Sequence, residues 1–274
     1  SNPEFLAEGT AVEDMLNPSR VLLGGNQSKF GQKAIGELKN IYLEWVPKEK
    51  IITTNLWSSE LAKIASNAML AQRVSSINSL SVLSEKTGAD INELSKAIGM
   101  DDRIGPHFLR ASIGFGGSCF QKDILNLVYL CKHYGLDEVA EYWHQVIKLN
   151  DYQKERFALK IIDFFRGNLE GKNIGILGWA FKPKTNDSRE SPSIHIAKRI
   201  LENKGSITVY DEYIEQDQIF EDLKNFKQKS IKVFRNFKEN QEIDLLLIAV
   251  ETPDLKIVLK EAKFKKIKLI CTRF

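Results

Sequence analysis

The rhythm of apolar and polar residues changes twice along this chain. Arg20-Val21-Leu22-Leu23-Gly24-Gly25 is a short apolar run closed by glycine, which predicts a buried strand, and Ser28 to Trp45 predicts a helix after it. From about Trp57 to Lys86 there is no glycine or proline, and apolar residues recur at spacings of three and four. At 1.5 Å per residue such a helix reaches roughly 45 Å. Its small residues Ala62, Ala65, Ala68 and Ala71 suit a packed spine or a subunit interface. Asp137 to Phe165 reads as a second long helix. Between the two, Asp90 to Ile98 predicts a short one, with Asp90 as N-cap and Gly99 as stop.

After Gly171 short apolar runs alternate with a helical pattern. Asn173 to Gly178, Ser206 to Tyr210, Leu245 to Val250 and Ile267 to Cys271 read as strands, and Ser191 to Leu201 as a helix. Strand, helix, strand in that order implies a parallel sheet with crossovers, hence a doubly wound α/β domain. The fold class is therefore α/β, with a helical central domain built on a long spine helix ahead of the parallel-sheet domain. The expected boundaries are 1–50 for the end of an earlier α/β unit, 51–165 for the helical middle and 166–274 for the last domain.

Composition narrows the classes. At 43% hydrophobic and 27% charged, the 274 residues suffice for ordinary globular domains. A net charge of +3, with lysines scattered among glutamates, gives no field for nucleic acid or a membrane surface. Cys119, Cys131 and Cys271 are odd in number and widely spaced, which points to a reducing compartment and a cytoplasmic protein. There is no membrane-length apolar run and no signal-peptide pattern at the start. The opening Ser1 in place of methionine suggests a fragment.

Gly114-Phe115-Gly116-Gly117-Ser118-Cys119-Phe120-Gln121-Lys122-Asp123 carries the candidate chemistry. A free cysteine is commonly a small buried hydrophobe. Here the glycines open the backbone to a ligand, and 122–134 reads as a helix whose N-terminus would favour thiolate at Cys119, so the context points to a nucleophile. Lys63 and Asn67, four apart on the long helix, project from one face and are either functional or ordinary surface groups. Ile174-Gly175-Ile176-Leu177-Gly178-Trp179-Ala180-Phe181 fails the dinucleotide fingerprint, with its second glycine one residue late and Phe181 at the third position. Asp211 either holds a ribose hydroxyl or caps a turn.

Longer blocks stand in one order: Glu4-Phe5-Leu6-Ala7-Glu8-Gly9-Thr10-Ala11, Asn55-Leu56-Trp57-Ser58-Ser59-Glu60-Leu61-Ala62-Lys63, Ser66-Asn67-Ala68, Leu70 to Ser79, the glycine-cysteine run, and Asp187-Ser188-Arg189-Glu190-Ser191. In order and spacing they resemble the UDP-glucose 6-dehydrogenases of the UDP-glucose/GDP-mannose dehydrogenase family up to about residue 210. The Gly-Gly-Ser-Cys-Phe-Gln-Lys-Asp form is closer to the animal and plant UDP-glucose enzymes than to the GDP-mannose members.

The resemblance implies NAD-dependent oxidation of UDP-glucose to UDP-glucuronate in two hydride transfers, through a thiohemiacetal and a thioester on Cys119. It implies Asp123 as base and water-positioning carboxylate, and Lys63 and Asn67 as holders of the oxyanion and the sugar. Glu4 would activate the hydrolytic water, and Glu8 would touch substrate and cofactor, with Phe5 and Leu6 in the same loop. Phe108, Leu109, Arg110, Ala111 and Ser112 would cover the nucleotide sugar, Arg110 standing where the animal enzymes have lysine, and Phe115 and Gly116 join them. Phe181 and Lys182 would contact uracil and phosphate. Arg103 would reach the neighbouring subunit's substrate, which implies at least a homodimer built on the long helix. The cofactor side would hold Cys119, Lys122 and Arg189, and no metal is implied.

Departures from the family pattern shape two further expectations. No G-x-G-x-x-G occurs in the 274 residues, so most of the family's amino-terminal Rossmann domain is absent from this chain, which is expected not to turn over alone. The end, Cys271-Thr272-Arg273-Phe274, differs from the family's Asp-Gly-Arg, with Arg273 the candidate substrate arginine, and residues 213–242 are unassigned. The alternatives are a GDP-mannose or UDP-N-acetylmannosamine dehydrogenase, or a non-catalytic UDP-sugar-binding or dimerisation module. Keeping Lys63, Asn67, Cys119 and Asp123 together argues against the module.

Overall fold

The computed structural model describes residues 1–235, 237, 242–252, 255–264 and 268–271. Its first unit contains α1 (Ala11–Leu16), β1 (Val21–Gly25), α2 (Lys29–Tyr42) and β2 (Ile51–Asn55). β1 and β2 pair in parallel, from Val21 opposite Ile51 to Gly25 opposite Asn55. Val21, Leu23, Ile35, Val46 and Ile51 close a small core there.

The pattern merged β2 with the helical middle. Its four residues before Asn55 include Ile51, Ile52, Thr53 and Thr54, which are β-branched and stiff at χ1. No glycine or proline separates them from the next helix. Asn55 ends the strand and also caps that helix, its Oδ1 accepting the Ser58 amide at 2.7 Å.

The middle unit is built on α3 (Leu56–Thr87), 32 residues long, which stops at Gly88 with φ of 78°, the left-handed conformation that glycine adopts freely. α4 (Ile91–Gly99) follows, capped as expected by Asp90, whose Oδ1 accepts the Asn92 and Glu93 amides. Ala68 and Ala71 of α3 are fully buried against Ile124 and Val128 of α5 (Ser118–His133) and Val146 and Ile147 of α6 (Asp137–Phe164). Cys131 packs in the same cluster, as a structural cysteine should.

α6 belongs to two cores. Its early turns pack on α3 and α5, while Phe157, Ala158, Ile161 and Ile162 enter the core of the last unit. Their neighbours there include Ile174 and Ile176 of β3 (Asn173–Leu177), Trp179, and Ile196 and Ile200 of α7 (Pro192–Glu202). Glu155 of α6 also accepts from Arg199 Nε at 3.0 Å and lies 2.8 Å from His195 Nε2, both on α7. One continuous helix thus fixes the middle and last units against each other.

The last unit is a five-stranded parallel sheet. Its strands are β3, β4 (Ser206–Tyr210), β5 (Ile231–Phe234), β6 (Leu245–Ile248) and β7 (Lys268–Cys271), in the order β5-β4-β3-β6-β7. α8 (Gln216–Asp222) and β5 fall in the stretch that the sequence left unassigned, and α9 (Leu255–Phe264) leads to β7. The strand order reverses between β3 and β6. In open α/β sheets that switch point is where ligands bind, beyond the carboxyl ends of the strands. Arg273 and the side chain of Cys271 lie outside the described residues.

Candidate active site

A cavity of about 600 Å³ lies where the three units meet, within the usual range for a small-molecule site. The amino-terminal segment supplies Phe5, Leu6 and Glu8. One face of α3 supplies Lys63, Ser66 and Asn67, and the start of α5 supplies Cys119. Phe181 and Lys182 after β3, and Glu251 after β6, close the far wall from the switch point.

The loop between α4 and α5 forms another wall, and four polar side chains hold its backbone. Arg73 of α3 donates to the carbonyls of Ile104, Gly105 and His107 at 2.7 to 2.9 Å. Asn78 accepts the Ser112 amide at 2.8 Å, and Gln153 donates to the Ser112 carbonyl at 2.7 Å. Asn150 accepts from the Phe115 amide and donates to its carbonyl. From Ser112 to Gly117 the loop is buried and needs its peptide groups satisfied, and side chains of α3 and α6 do so. Phe108, at φ of 61°, turns into the cavity beside Arg110 and Ser112, and Phe115 packs edge-on to Phe120 at 5.7 Å.

The glycines admit two backbones to one place. A Cβ on Gly116 would lie 2.6 Å from the Glu190 carbonyl oxygen, and one on Gly117 would touch the Phe181 ring at 3.0 Å. Gly117 also donates its amide to the Arg189 carbonyl at 2.8 Å. The glycine run therefore seats the 181–190 loop directly against the start of α5. That helix begins at Ser118, four residues earlier than the pattern placed it, so Cys119 stands within its first turn, exposed to the cavity, with Ser118 Oγ 3.7 Å from its sulfur.

Asp123, one turn on, is buried and accepts a 2.6 Å hydrogen bond from Asn67 Nδ2. Lys63 Nζ lies 2.9 Å from Glu4 Oε1. Burial works against the Glu4 carboxylate, yet the hydrogen bonds from Lys63 and from the Leu6 amide outweigh it and hold Glu4 below the usual carboxylate range. Two donors, Lys63 and Asn67, thus stand on one helical face opposite a thiol, each already engaged with a carboxylate. Glu8 accepts from Thr185 Oγ1 at 3.2 Å, and its carbonyl accepts from Lys182 Nζ at 2.6 Å, which docks the amino-terminal segment on the last unit.

Phe5, Leu6, Glu8, Lys63, Asn67, Phe108, Arg110, Ser112, Phe115, Gly116, Cys119, Phe181 and Lys182 thus line one cavity. Other expected positions do not. Glu4 and Asp123 do not line it but are bonded to Lys63 and Asn67, Glu4 half-exposed and Asp123 buried. Leu109 is buried, its carbonyl accepting from Ser95. Arg103 is 89% exposed and chelated by Asp101. Lys122 points outward, 4.0 Å from Asp123. Arg189 is held by both oxygens of Asp187 at 2.8 Å and stays 66% exposed. The Arg189 guanidinium beside Asp187 holds that carboxyl well below the ordinary range.

Asp211 is corrected to the capping role. One of its oxygens accepts the amides of Trp179 and Ala180, the other those of Tyr213 and Ile214, and the residue is buried. The amides that would face a pyrophosphate in a true dinucleotide loop are therefore occupied by this carboxylate. Sequence reasoning missed Ser66, Arg20 and Glu251 on the cavity wall. Ser66 was within reach of helical spacing, three after Lys63 and one before Asn67. Arg20 and Glu251 arrive only through tertiary structure, Glu251 pairing with Arg110 at 3.3 Å.

Residues 57–152 match the central domain of the UDP-glucose/GDP-mannose dehydrogenase family, residues 175–272 its UDP binding domain, and residues 1–46 its NAD binding domain. The chain is 57% identical over 223 residues to UDP-glucose 6-dehydrogenase 2 of Arabidopsis thaliana, covering 81% of this chain and 46% of that protein. Against UDP-glucose 6-dehydrogenase of Mus musculus the identity is 59% over 223 residues, covering 81% and 45%. The chain thus spans about half the length of these curated relatives. A solved UDP-glucose dehydrogenase from Pyrobaculum islandicum superposes with a TM-score of 0.83 at 29% identity, covering all of this chain and 60% of that one. Three family domains in their proper order, over a site that joins all three units, leave one assignment: this chain belongs to the UDP-glucose/GDP-mannose dehydrogenase family.

Proposed function

We propose that the protein of which this chain is part oxidises UDP-glucose to UDP-glucuronate, removing four electrons at one carbon. The observation that carries this reading is one cavity lined by the exposed Cys119 together with Lys63, Asn67, Phe181 and Lys182. A primary alcohol gives up hydride and proton to become an aldehyde, and a second hydride can leave only from a tetrahedral carbon. The Cys119 sulfur supplies the fourth bond: it adds to the aldehyde carbon, and the carbonyl oxygen takes a proton. Lys63 and Asn67 stabilise that oxygen while it carries charge. Loss of the second hydride and the hydroxyl proton leaves a thioester. Water then adds to the thioester carbon, the carbon–sulfur bond breaks, and carboxylate and thiol are released. Asp123, tied to Asn67, and Glu4, tied to Lys63, are the carboxylates that take protons from that water in this reading, each through the residue it is bonded to at the cavity wall.

NAD, when bound, accepts one hydride at each of the two oxidations. Arg189 fits an anionic dinucleotide, since it keeps an exposed guanidinium after pairing with Asp187. Glu8 and Lys122 belong to the same cofactor side. Phe181 offers an aromatic face and Lys182 a cation for the uracil and diphosphate of the sugar nucleotide, an arrangement supported by the match of residues 175–272 to a UDP binding domain.

The domain division at 50 and 165 is part of this reading, with β2 joined structurally to the first unit. The protein acts as a homodimer or larger assembly in the cytoplasm. Trp57, Leu61, Met69 and Leu83 leave apolar surface exposed along α3, and Arg103 lies off its own cavity, exposed but paired with Asp101, from which it would turn to reach a second subunit. Three widely spaced cysteines, an odd number, fit a reducing compartment. No described helix is long and apolar enough to cross a membrane.

The test uses the complete protein with UDP-glucose, GDP-mannose and UDP-N-acetylmannosamine. NADH formation is expected with UDP-glucose, and Cys119→Ser should abolish completed turnover while retaining UDP-glucose binding. Preference for either other sugar nucleotide, or full activity in Cys119→Ser, would overturn the reading.

A further inference from the structure

Arg20, like Arg110, is a cation of the cavity wall that the mechanism above does not use. Lys63 pairs with Glu4 and Arg110 with Glu251, while Lys182 donates to the Glu8 carbonyl. Arg20 has no ion pair among the described residues. Its guanidinium carbon lies 3.9 Å from the centre of the Phe5 ring, and its Nη2 donates to Ser66 Oγ at 3.2 Å. Ser66 in turn donates to the Ala62 carbonyl of α3 at 2.7 Å. Lys63 Nζ stands 5.7 Å from the same ring. The Phe5 ring is therefore in contact with two cations anchored to the wall, and Glu4, its chain neighbour, is bonded to one of them.

From this geometry we infer that Arg20 is a positioning residue for the hydrolytic half of the reaction, which rests on the function proposed above. A guanidinium over an aromatic face is attractive because the ring's quadrupole is negative there, and a planar cation stacks where an ammonium cannot. Arg20 fixes Phe5, and Phe5 fixes the peptide carrying Glu4. Glu4 is exposed over half its side chain, and among the described residues its carboxylate accepts from Lys63 and the Leu6 amide, while Ser1 and Asn2 tie the start of the segment to β1 and leave Phe5 as the anchor on the other side of Glu4. Loss of Arg20 should then leave sugar binding and both oxidations largely intact. It should slow the step in which Glu4 takes a proton from water as the oxygen adds to the thioester carbon and the carbon–sulfur bond breaks.

The test is made in the complete protein with Arg20→Met, Arg20→Lys and Phe5→Leu. Arg20→Met is expected to lower kcat about tenfold with KM for UDP-glucose changed less than threefold. Rapid quenching and intact-mass measurement should find a UDP-sugar thioester on Cys119 accumulating in the variant. Phe5→Leu should do the same, and Arg20→Lys should restore only part of the rate. No accumulated adduct in Arg20→Met or Phe5→Leu, or a rise in KM at unchanged kcat, overturns the inference. If Arg20→Met fails to fold, Phe5→Leu decides alone. If the unaltered protein forms no NADH from UDP-glucose, the proposed function itself fails, a result distinct from an unaltered protein that works and variants that match it.

Discussion

At the residue scale most charges in and around the site have a partner before any ligand arrives. Asp187 is the clearest case. Its side chain is 5% exposed, and two hydrogen bonds from Arg189 hold its carboxyl below the ordinary aspartate range despite burial. A depressed folded value means that the unfolded chain binds more protons as the pH falls, so this contribution is complete above the unfolded value of about 3.9 and is lost as the pH drops through the folded one. Stability measured by urea unfolding should therefore fall between about pH 4 and pH 2 by more in the unaltered protein than in Asp187→Asn. Equal slopes would remove the assigned role. At this scale the sequence was legible where chemistry and helical spacing coincide. Lys63 and Asn67 share a face because four residues make about one turn. Arg20 and Glu251 carry no local mark, since what makes them wall residues is the docking of units far apart in the chain.

At the element scale, glycine and buried polar side chains shape the site. The Gly116 position leaves no room for a Cβ, because the obstructing atom is the Glu190 backbone oxygen at 2.6 Å and the Phe181 Cβ follows at 2.9 Å. Gly116→Ala should therefore destabilise by about 1–3 kcal/mol, the usual range for overpacking. Gly36→Ala in α2 is the control, since nothing lies within 4 Å of the added carbon there. Removing a helix-interior glycine should stabilise by about 0.5–1 kcal/mol. Chemical unfolding of the two variants should move in opposite directions, and parallel shifts would contradict the packing argument. The long helices were legible because their apolar spacing persists over many turns. β2 was not, since it is short and runs into α3 without a breaker. The start of α5 was misplaced by four residues because its N-cap, Gly117, has no side chain to signal a cap and its φ of 85° is set by the loop it joins.

At the scale of the whole molecule, α6 connects cause and effect. It packs its early turns in the helical unit and its late turns in the parallel-sheet unit, so that residues of both units line one cavity. The parallel sheet was legible as a run of short strands, and its degraded glycine fingerprint agrees with Asp211 filling the turn. The proposed chemistry oxidises one carbon twice in this cavity before release. Counting NADH formed per UDP-glucose consumed by the complete protein under limiting substrate decides it. Two for each sugar, with UDP-glucuronate as product, is expected; a value of one, with an aldehyde released, would refute double oxidation.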